Sequence, residues 1–443
     1  KDILRLFREV TRRRGVALYV HYSGVWDNEA VKHHPNWARI DAADKIDPQK
    51  TSLWSAYSDS LLIPQLKEIS DYGVDGVWVD GDCWATNTDY CTAAIDEFRF
   101  ITNIKDIPRK KTDANYDKWL EFHRDAFRRY VRKYTDALHA YNPRFQVASN
   151  WSFSAMMPER VDINVDFLSG DTEPLNGANQ SAFQARCLAP QGKPWDLMSW
   201  SFGYGWEDQV KSPKNATQLT QEAAQVISMG GGYQAYWTQN RDGSLPTFSY
   251  RTMSELAKFC RQRQAFTQNT KPVPQVALLY SNTGYKSELT TVYNTGDGKH
   301  QPMIGTLNAL LYSQLPTEIL QEHHLRGQTQ NYPLIVIPEW KKIEVSLRDE
   351  LVEYVRQGGN LLVIGPETVK LFENQLGVKL SSSTKTISNW GFGELLTGTR
   401  ATFRPFEPLF GTQTFGHWFS EGDIRYAEGP VASVAAFGKG KIA

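Results

Sequence analysis

The sequence predicts an α/β protein: a (β/α)8 barrel of the TIM type, then a flavodoxin-like α/β domain, then a small β-rich region. Three observations carry that expectation. Residues 1–268 alternate short β-rich runs with amphipathic helical runs, the rhythm of a parallel fold. Residues 275–380 repeat the rhythm with uninterrupted apolar strands, which a sheet covered on both faces requires. From about 385 to 443 the chain is β-prone and rich in Thr, Phe and Gly.

The first run, Asp2 to Val10, sets Ile3, Leu4, Phe7 and Val10 on one helical face. Strands are expected at Val16–Tyr22, Val74–Asp80, Phe145–Asn150, Asp166–Ser169, Asp196–Trp200 and Gly232–Trp237. Helices fall between them, at Ser60 to Tyr72, Tyr116 to Tyr141, and Asn215 to Met229, the last stopped by Gly230-Gly-Gly232. Six strands are two short of a closed barrel, and two βα units amount to roughly 80–120 residues. The chain opens in mid-pattern and closes on a hairpin, so it reads as an excerpt with the first barrel strands ahead of Lys1. An open doubly wound sheet is the competing architecture. It wants a Gly-rich phosphate turn after its first strand, and His21-Tyr-Ser-Gly-Val-Trp26 is not one.

Thr270-Lys-Pro-Val-Pro274 reads as a linker. Beyond it come strands at Val276–Tyr280, Leu334–Pro338 and Gly359–Gly365, with helices near Gly305–Leu315 and Leu347–Arg356. The expected division is therefore 1–268, 275–380 and 385–443.

Composition removes several classes of function. Lys+Arg and Asp+Glu both total 49, a balance that argues against a nucleic-acid or anionic-membrane binder. No apolar run approaches the roughly 20 residues of a membrane helix. Four Cys, at 83, 91, 187 and 260, make no metal-spaced pair and no disulfide framework. Cys83 and Cys91 flank one loop and could bridge, but free thiols are the expectation. His33-His34 and His323-His324 lack an acidic ligand at metal spacing, and both are expected at the surface. No metal or cofactor is expected. Aromatic residues are 12% of the chain, with 14 Trp; flat rings fill cores and also stack on the C–H faces of sugars.

The most informative stretch is Tyr72-Gly-Val-Asp-Gly-Val-Trp-Val-Asp-Gly-Asp-Cys-Trp84. Alternation along the strand places Val77 and Val79 on one face, Trp78 and Asp80 on the other. Asp80 ends a parallel strand, where barrel enzymes place catalytic groups. A carboxylate held there beside Trp78 and Trp84 can attack an anomeric carbon. The plainer alternative is a loop-capping Asp bonded to nearby backbone N–H groups.

Tyr72 to Gly81 resembles the nucleophile strand of the α-L-fucosidases of glycoside hydrolase family 29, roughly Tyr-Gly-x-Asp-x-x-Trp-x-Asp-Gly. Asp2 to Trp26 resembles the helix, strand and turn preceding it. Phe167-Leu-Ser-Gly-Asp-Thr-Glu-Pro174 resembles the segment that ends in Thr-Pro-Glu, Trp195 to Tyr204 the Ser-Trp-Gly-Tyr region, and Asn215 to Gly243 the helix and strand that close the barrel. The likeness covers about 1–268 and implies a retaining exo-glycosidase with Asp80 as nucleophile. The chain departs from the family where sugars are read. The family's paired-His motif would precede Lys1, Tyr236-Trp-Thr-Gln-Asn-Arg241 replaces Leu-Leu-Asn-x-x-Pro, and the stretch between Asp82 and Lys111 is longer. Another glycan, such as a galactoside, and a catalytically silent sugar-binding barrel are the other readings.

A retaining enzyme needs a second carboxyl roughly 5–5.5 Å from the first, protonated at rest. The resemblance points to Glu173, stiffened by Pro174, as acid/base; a loop Glu paired with Arg186 is the structural alternative. Asp171, Asp82 and Glu207 are the other contenders. Residues at or just past strand ends supply the candidate sugar contacts: His21, Tyr22, Trp26, Trp84, Asn150, Trp151, Trp200, Tyr204 and Trp237.

Residues 275–380 resemble the class I glutamine amidotransferase-like domain that follows the barrel in family 42 β-galactosidases. Such a domain would need a Cys on the turn after a strand. The matching turn reads Val363-Ile-Gly-Pro-Glu-Thr-Val369, and residues 261–443 hold no Cys, which excludes that chemistry. An accessory or assembly role, with homo-oligomers, is expected instead. The expected partner is an oligosaccharide or glycoconjugate, and the resemblance implies a periplasmic or secreted location.

Overall fold

The computed structural model describes residues 2–172, 174–205, 207–293, 298–419 and 424–443. The chain forms two compact units, one of Lys1–Lys271 with Leu289–Asp297, the other of Pro272–Glu288 with Gly298–Ala443.

The first unit opens with α1 (Ile3–Arg14). Asp2 caps it by accepting the Arg5 N–H, and Gly15 in the left-handed region closes it. Strand β1 (Tyr19–Ser23) follows, three residues later than the apolar run predicts, because Val16 and Leu18 spend their N–H groups on Thr11 O and the Asp75 carboxylate. Beyond a short helix at Asn28–His33 and a hairpin of Ala38–Ile40 with Ile46–Thr51 come α2 (Ile63–Asp71), entered through a π turn at Ser58–Leu62, and β2 (Gly76–Asp80). The 26-residue α3 (Tyr116–Tyr141) lays Trp119, Phe127, Tyr134 and Leu138 into the core and leads to β3 (Gln146–Ser149). After it come α4 (Gly177–Leu188), β4 (Asp196–Trp200), α5 (Ala216–Ile227) and β5 (Gly232–Tyr236). A reciprocal Asn215–Gln218 capping box starts α5.

Neighbouring strands are parallel and follow chain order. Tyr19 pairs with Gly76, Gly76 with Gln146, and Asp196 with Gly232. The stretch 168–171 fills the place between β3 and β4 through single bridges: Asn150 to Ser169, Leu168 to Trp195, Asp171 to Met198. It is shorter than a full strand because the Asp166 carboxylate, rather than a backbone carbonyl, takes the Val147 N–H. These are six consecutive βα-type strands of a TIM-type barrel. Residues 289–293 belong to this unit: Val292 and Tyr293 are buried in its core, and Tyr116 Oη and Arg124 Nε donate to the Thr290 and Val292 carbonyls.

The second unit is flavodoxin-like. Strands β6 (Val276–Tyr280), β7 (Thr317–Gln321), β8 (Leu334–Ile337) and β9 (Asn360–Val363) are parallel in the order β7-β6-β8-β9. All five residues of β6 are buried, as its uninterrupted apolar sequence requires. The sheet continues into the C-terminal region through Gly440–Ile442, Ala432–Phe437 and Gln413–Phe415. A separate hairpin, Lys385–Phe392 with Leu395–Phe403, stands outside it. All four cysteines are free. His33 and His34 are exposed as expected, whereas His323 and His324 are partly buried with their rings 4.0 Å apart, next to a buried Glu322 that accepts from the Ser281 and Thr283 hydroxyls. Among the described residues no helix is long and apolar enough to cross a membrane, and no cluster of His, Cys, Asp or Glu could hold a metal ion.

Candidate active site

Alternation on β2 buries Val77 and Val79 completely on the helix-facing side and turns Trp78 and Asp80 inward. Gly81 then takes φ +75°, and a Cβ there would lie 2.8 Å from the Trp26 Cβ. Only glycine makes this turn. The turn brings Trp84 back over the strand end.

Asp80 collects donors from four directions. Its Oδ1 accepts from the Gly81 N–H at 2.7 Å, Trp84 Nε1 at 2.8 Å and Asn150 Nδ2 at 2.9 Å. Its Oδ2 lies 3.1 Å from His21 Nε2. Burial alone would raise the carboxyl's pKa. The donors outweigh it, His21 first, then Asn150, Trp84 and Gly81, and hold Asp80 at about 2. The side chain remains 27% exposed, so this anion is reachable. The rings of His21 and Trp78 lie 5.2 Å apart and those of Trp84 and Trp26 5.3 Å apart, both pairs tilted, giving aromatic surface on both sides.

Two further aspartates stand close by. Asp82 is fully buried; Tyr134 Oη donates to it at 2.6 Å and Ser149 Oγ at 2.7 Å. Burial pushes its pKa up to about 7, against those two bonds and helped by the charge of Asp80. A Cβ on Gly24 would collide with the Asp82 carboxyl. Asp82 therefore braces the strand ends from behind. Asp171 sits on the inward face of 168–171. Burial, then the charges of Asp80 and Asp196, hold its carboxyl well above the ordinary carboxylate range, opposed by the Asn150 amide and the Trp200 indole.

The structure thus gathers His21, Trp26, Trp84 and Asn150 around Asp80, and Asp171 with Asn150 and Trp200 beside it. Tyr204 joins the same aromatic group, its ring 6.2 Å from Trp200. Trp151 follows Asn150 with φ +64°, a strained conformation for a bulky residue, and its ring packs on Gly170. Two candidates face elsewhere. Tyr22 alternates with His21 and hydrogen-bonds Gln65 on α2, on the helix side of the sheet. Trp237 packs with Tyr233 and Ala235 against Leu219, Ala223 and Leu256, in the helix layer. The inward residue of that strand is Tyr236, which meets Trp200 edge-on at 5.7 Å. Counting by two from Gln234, whose amide reaches Asp196 at 2.7 Å, would have found it. Glu207 is exposed. Glu173 lies outside the described residues.

Fold and strand-end chemistry together define a TIM-type barrel with an anionic, aromatic-walled site, followed by a flavodoxin-like domain. Solved structures similar to this whole chain are carbohydrate-active. One is the α-L-fucosidase isoenzyme 2 from Paenibacillus thiaminolyticus, TM-score 0.76 at 18% identity, matched over 100% of this chain and 70% of that one. A second is the polyextremophilic β-galactosidase from the Antarctic haloarchaeon Halorubrum lacusprofundi, TM-score 0.77 at 12% identity, over 100% and 79%. A third is the exo-β-1,4-mannosidase from Opitutaceae bacterium strain TAV5, TM-score 0.57 at 14% identity, over 100% and 87%. No protein-family model matches the chain, and no curated protein sequence matches it.

Proposed function

We propose that the chain is the body of a retaining glycoside hydrolase acting on an α-L-fucoside or a related glycan. The observation that carries the reading is the bonding of Asp80. A loop-capping aspartate bonds only to backbone N–H groups nearby. Asp80 takes three of its four donors from side chains on separate segments, His21, Trp84 and Asn150, and stays ionised and reachable. That is the construction of an aimed anion.

In this reading Asp80 attacks the anomeric carbon as the bond to the leaving oxygen breaks. Glu173 donates a proton to that oxygen, then takes one from the water that releases the sugar, and the configuration is retained. Trp84 and Trp26 offer a stacking face, and His21 orients Asp80. A galactoside is the second reading, favoured by the likeness to β-galactosidases in both fold and second domain. The second unit serves accessory or assembly purposes, since the turn after β9 offers Gly365-Pro366-Glu367 and no thiol.

A panel of aryl α-fucosides, β-galactosides and β-mannosides, assayed with wild type and Asp80→Asn, tests the proposal. Wild type is expected to cleave one member and Asp80→Asn none. A panel left intact by wild type, or cleaved equally by both, overturns it.

A further inference from the structure

Three inward side chains around Asp80 each carry a buried polar atom that no described residue satisfies: Trp78 Nε1, Asn150 Oδ1 and Asp171 Oδ1. Buried polar atoms in folded proteins are almost always paired, so a cluster of unpaired ones at a strand-end site marks where a ligand completes the bonding. Trp78 Nε1 is a donor, whereas the other two atoms are oxygens. Asn150 is 1% exposed and spends its Nδ2 on Asp80, which leaves its carbonyl oxygen as an acceptor. The Asp171 carboxyl, on which the Asn150 amide and the Trp200 indole act, stands beside it with its Oδ1 unpaired among the described residues. Burial, then the charges of Asp80 and Asp196, push that carboxyl well above the ordinary carboxylate range, which favours its acid form beside the anion. A buried amide oxygen beside a carboxyl whose acid form both accepts and donates suits a sugar, which presents hydroxyl groups on adjacent ring carbons.

We propose that Asn150 and Asp171 form the hydroxyl-reading wall of the sugar site, accepting hydrogen bonds from free hydroxyl groups of the sugar held against Asp80. The inference rests on the glycosidase reading and deepens it: the glycon is one with unsubstituted hydroxyls on the edge facing this wall, and an ether or ester there is rejected. Asp171 is a specificity-determining residue, distinct from the proton donor.

The test uses the aryl glycoside that the full chain hydrolyses, converted to its uncleavable thioglycoside, with its monodeoxy and monodeoxyfluoro series. Binding is measured by calorimetry. One monodeoxy analogue is expected to bind wild type at least tenfold more weakly than the parent. Its deoxyfluoro counterpart should be equally weak, because fluorine cannot donate. Asp171→Ala should lose the same factor for the parent and nothing further for that analogue, while Asp171→Asn, which keeps an acceptor oxygen, restores the discrimination. A deoxyfluoro analogue that binds like the parent overturns the wall using wild type alone, whatever the variants do. So does Asp171→Ala weakening every analogue by one factor. Asp171→Asn that spares activated aryl glycosides and abolishes turnover of poor leaving groups would make Asp171 the proton donor, and overturns it too. Hydrolysis without coupling to Asp171 leaves the glycosidase reading standing; a chain that neither binds nor cleaves any glycoside loses both.

Discussion

Asp80 divides its four donors unevenly, three on Oδ1 and one on Oδ2. Oδ1 is saturated, and Oδ2 keeps a lone pair free for attack. Asp80→Ala is expected to lower turnover by several orders of magnitude without unfolding the chain; a tenth of wild-type turnover in a steady-state assay would refute the role. The donors also set the acid limit. Removing one by Asn150→Ala should raise the Asp80 pKa, so the acid limb of the kcat/KM profile moves to higher pH. An unmoved limb would mean that Asp80 does not govern it. Asp82 works in the opposite direction. Its folded pKa, about 7, lies above its ordinary 3.8, so the folded state holds the extra proton between those values. Stability should therefore fall as pH rises from about 4 to about 7. Thermal melts of Asp82→Asn across that window should show a shallower fall than wild type.

At the scale of elements, two close approaches hold the site together. The Gly81 turn leaves no room for a side chain against Trp26, and its φ of +75° strains any L-residue. Gly81→Ala should cost roughly 1–3 kcal/mol and misaim Asp80, read as a lower melting temperature together with a loss of activity. On the other side, Lys214 and Glu222 form a buried ion pair at 2.7 Å, with side chains 6% and 3% exposed. A Cβ on Gly177, the first residue of α4, would collide with the Glu222 carboxyl, so this acid lies against the start of the helix that follows 171–176. Glu222→Ala leaves a buried lysine unpaired and should cost about 3–5 kcal/mol. Denaturant midpoints would check it; a change below about 1 kcal/mol would show that water reaches Lys214.

For the whole molecule, the compact units do not follow a single cut in the sequence. The linker at 270–274 suggests a barrel of residues 1–268, whereas the first compact unit runs to Lys271. Leu289–Asp297 belongs to the same compact unit, with Val292 and Tyr293 buried among Phe127 and Tyr130 and the Val292 carbonyl held by Arg124. A chain ending at 271 leaves that slot empty and strips the buried Arg124 Nε of its acceptor, leaving only the bond from Nη1 to Glu121. Losing an aromatic side chain from a core costs about 3–5 kcal/mol, so the shortened chain should melt well below the full one. An unchanged melting temperature would show that the slot is dispensable.

The strand at 76–80 was legible in the sequence because two-residue alternation, a glycine turn and a terminal acid coincide within nine residues. The same logic located β1, β3, β4 and β5 to within a few residues, since β-rich runs bounded by turn signals are local facts. The long helix α3 was read to its exact ends, because a 26-residue amphipathic pattern leaves little room for error. The direction of single side chains was less legible. Tyr22 and Trp237 sit next to inward residues, and a register one residue off sends the ring to the other face. Asp82 reads in sequence like a second acid beside Asp80; only the packing of Tyr134, Ser149 and Gly24 makes it a buried brace. Asp171 owes its character to burial and to the charges of Asp80 and Asp196, opposed by Asn150 and Trp200, none of which is within twenty residues of it. Local pattern can place a carboxyl at a strand end. Whether that carboxyl is an anion, a neutral acid or a brace depends on donors, charges and burial that the fold imports from distant parts of the chain.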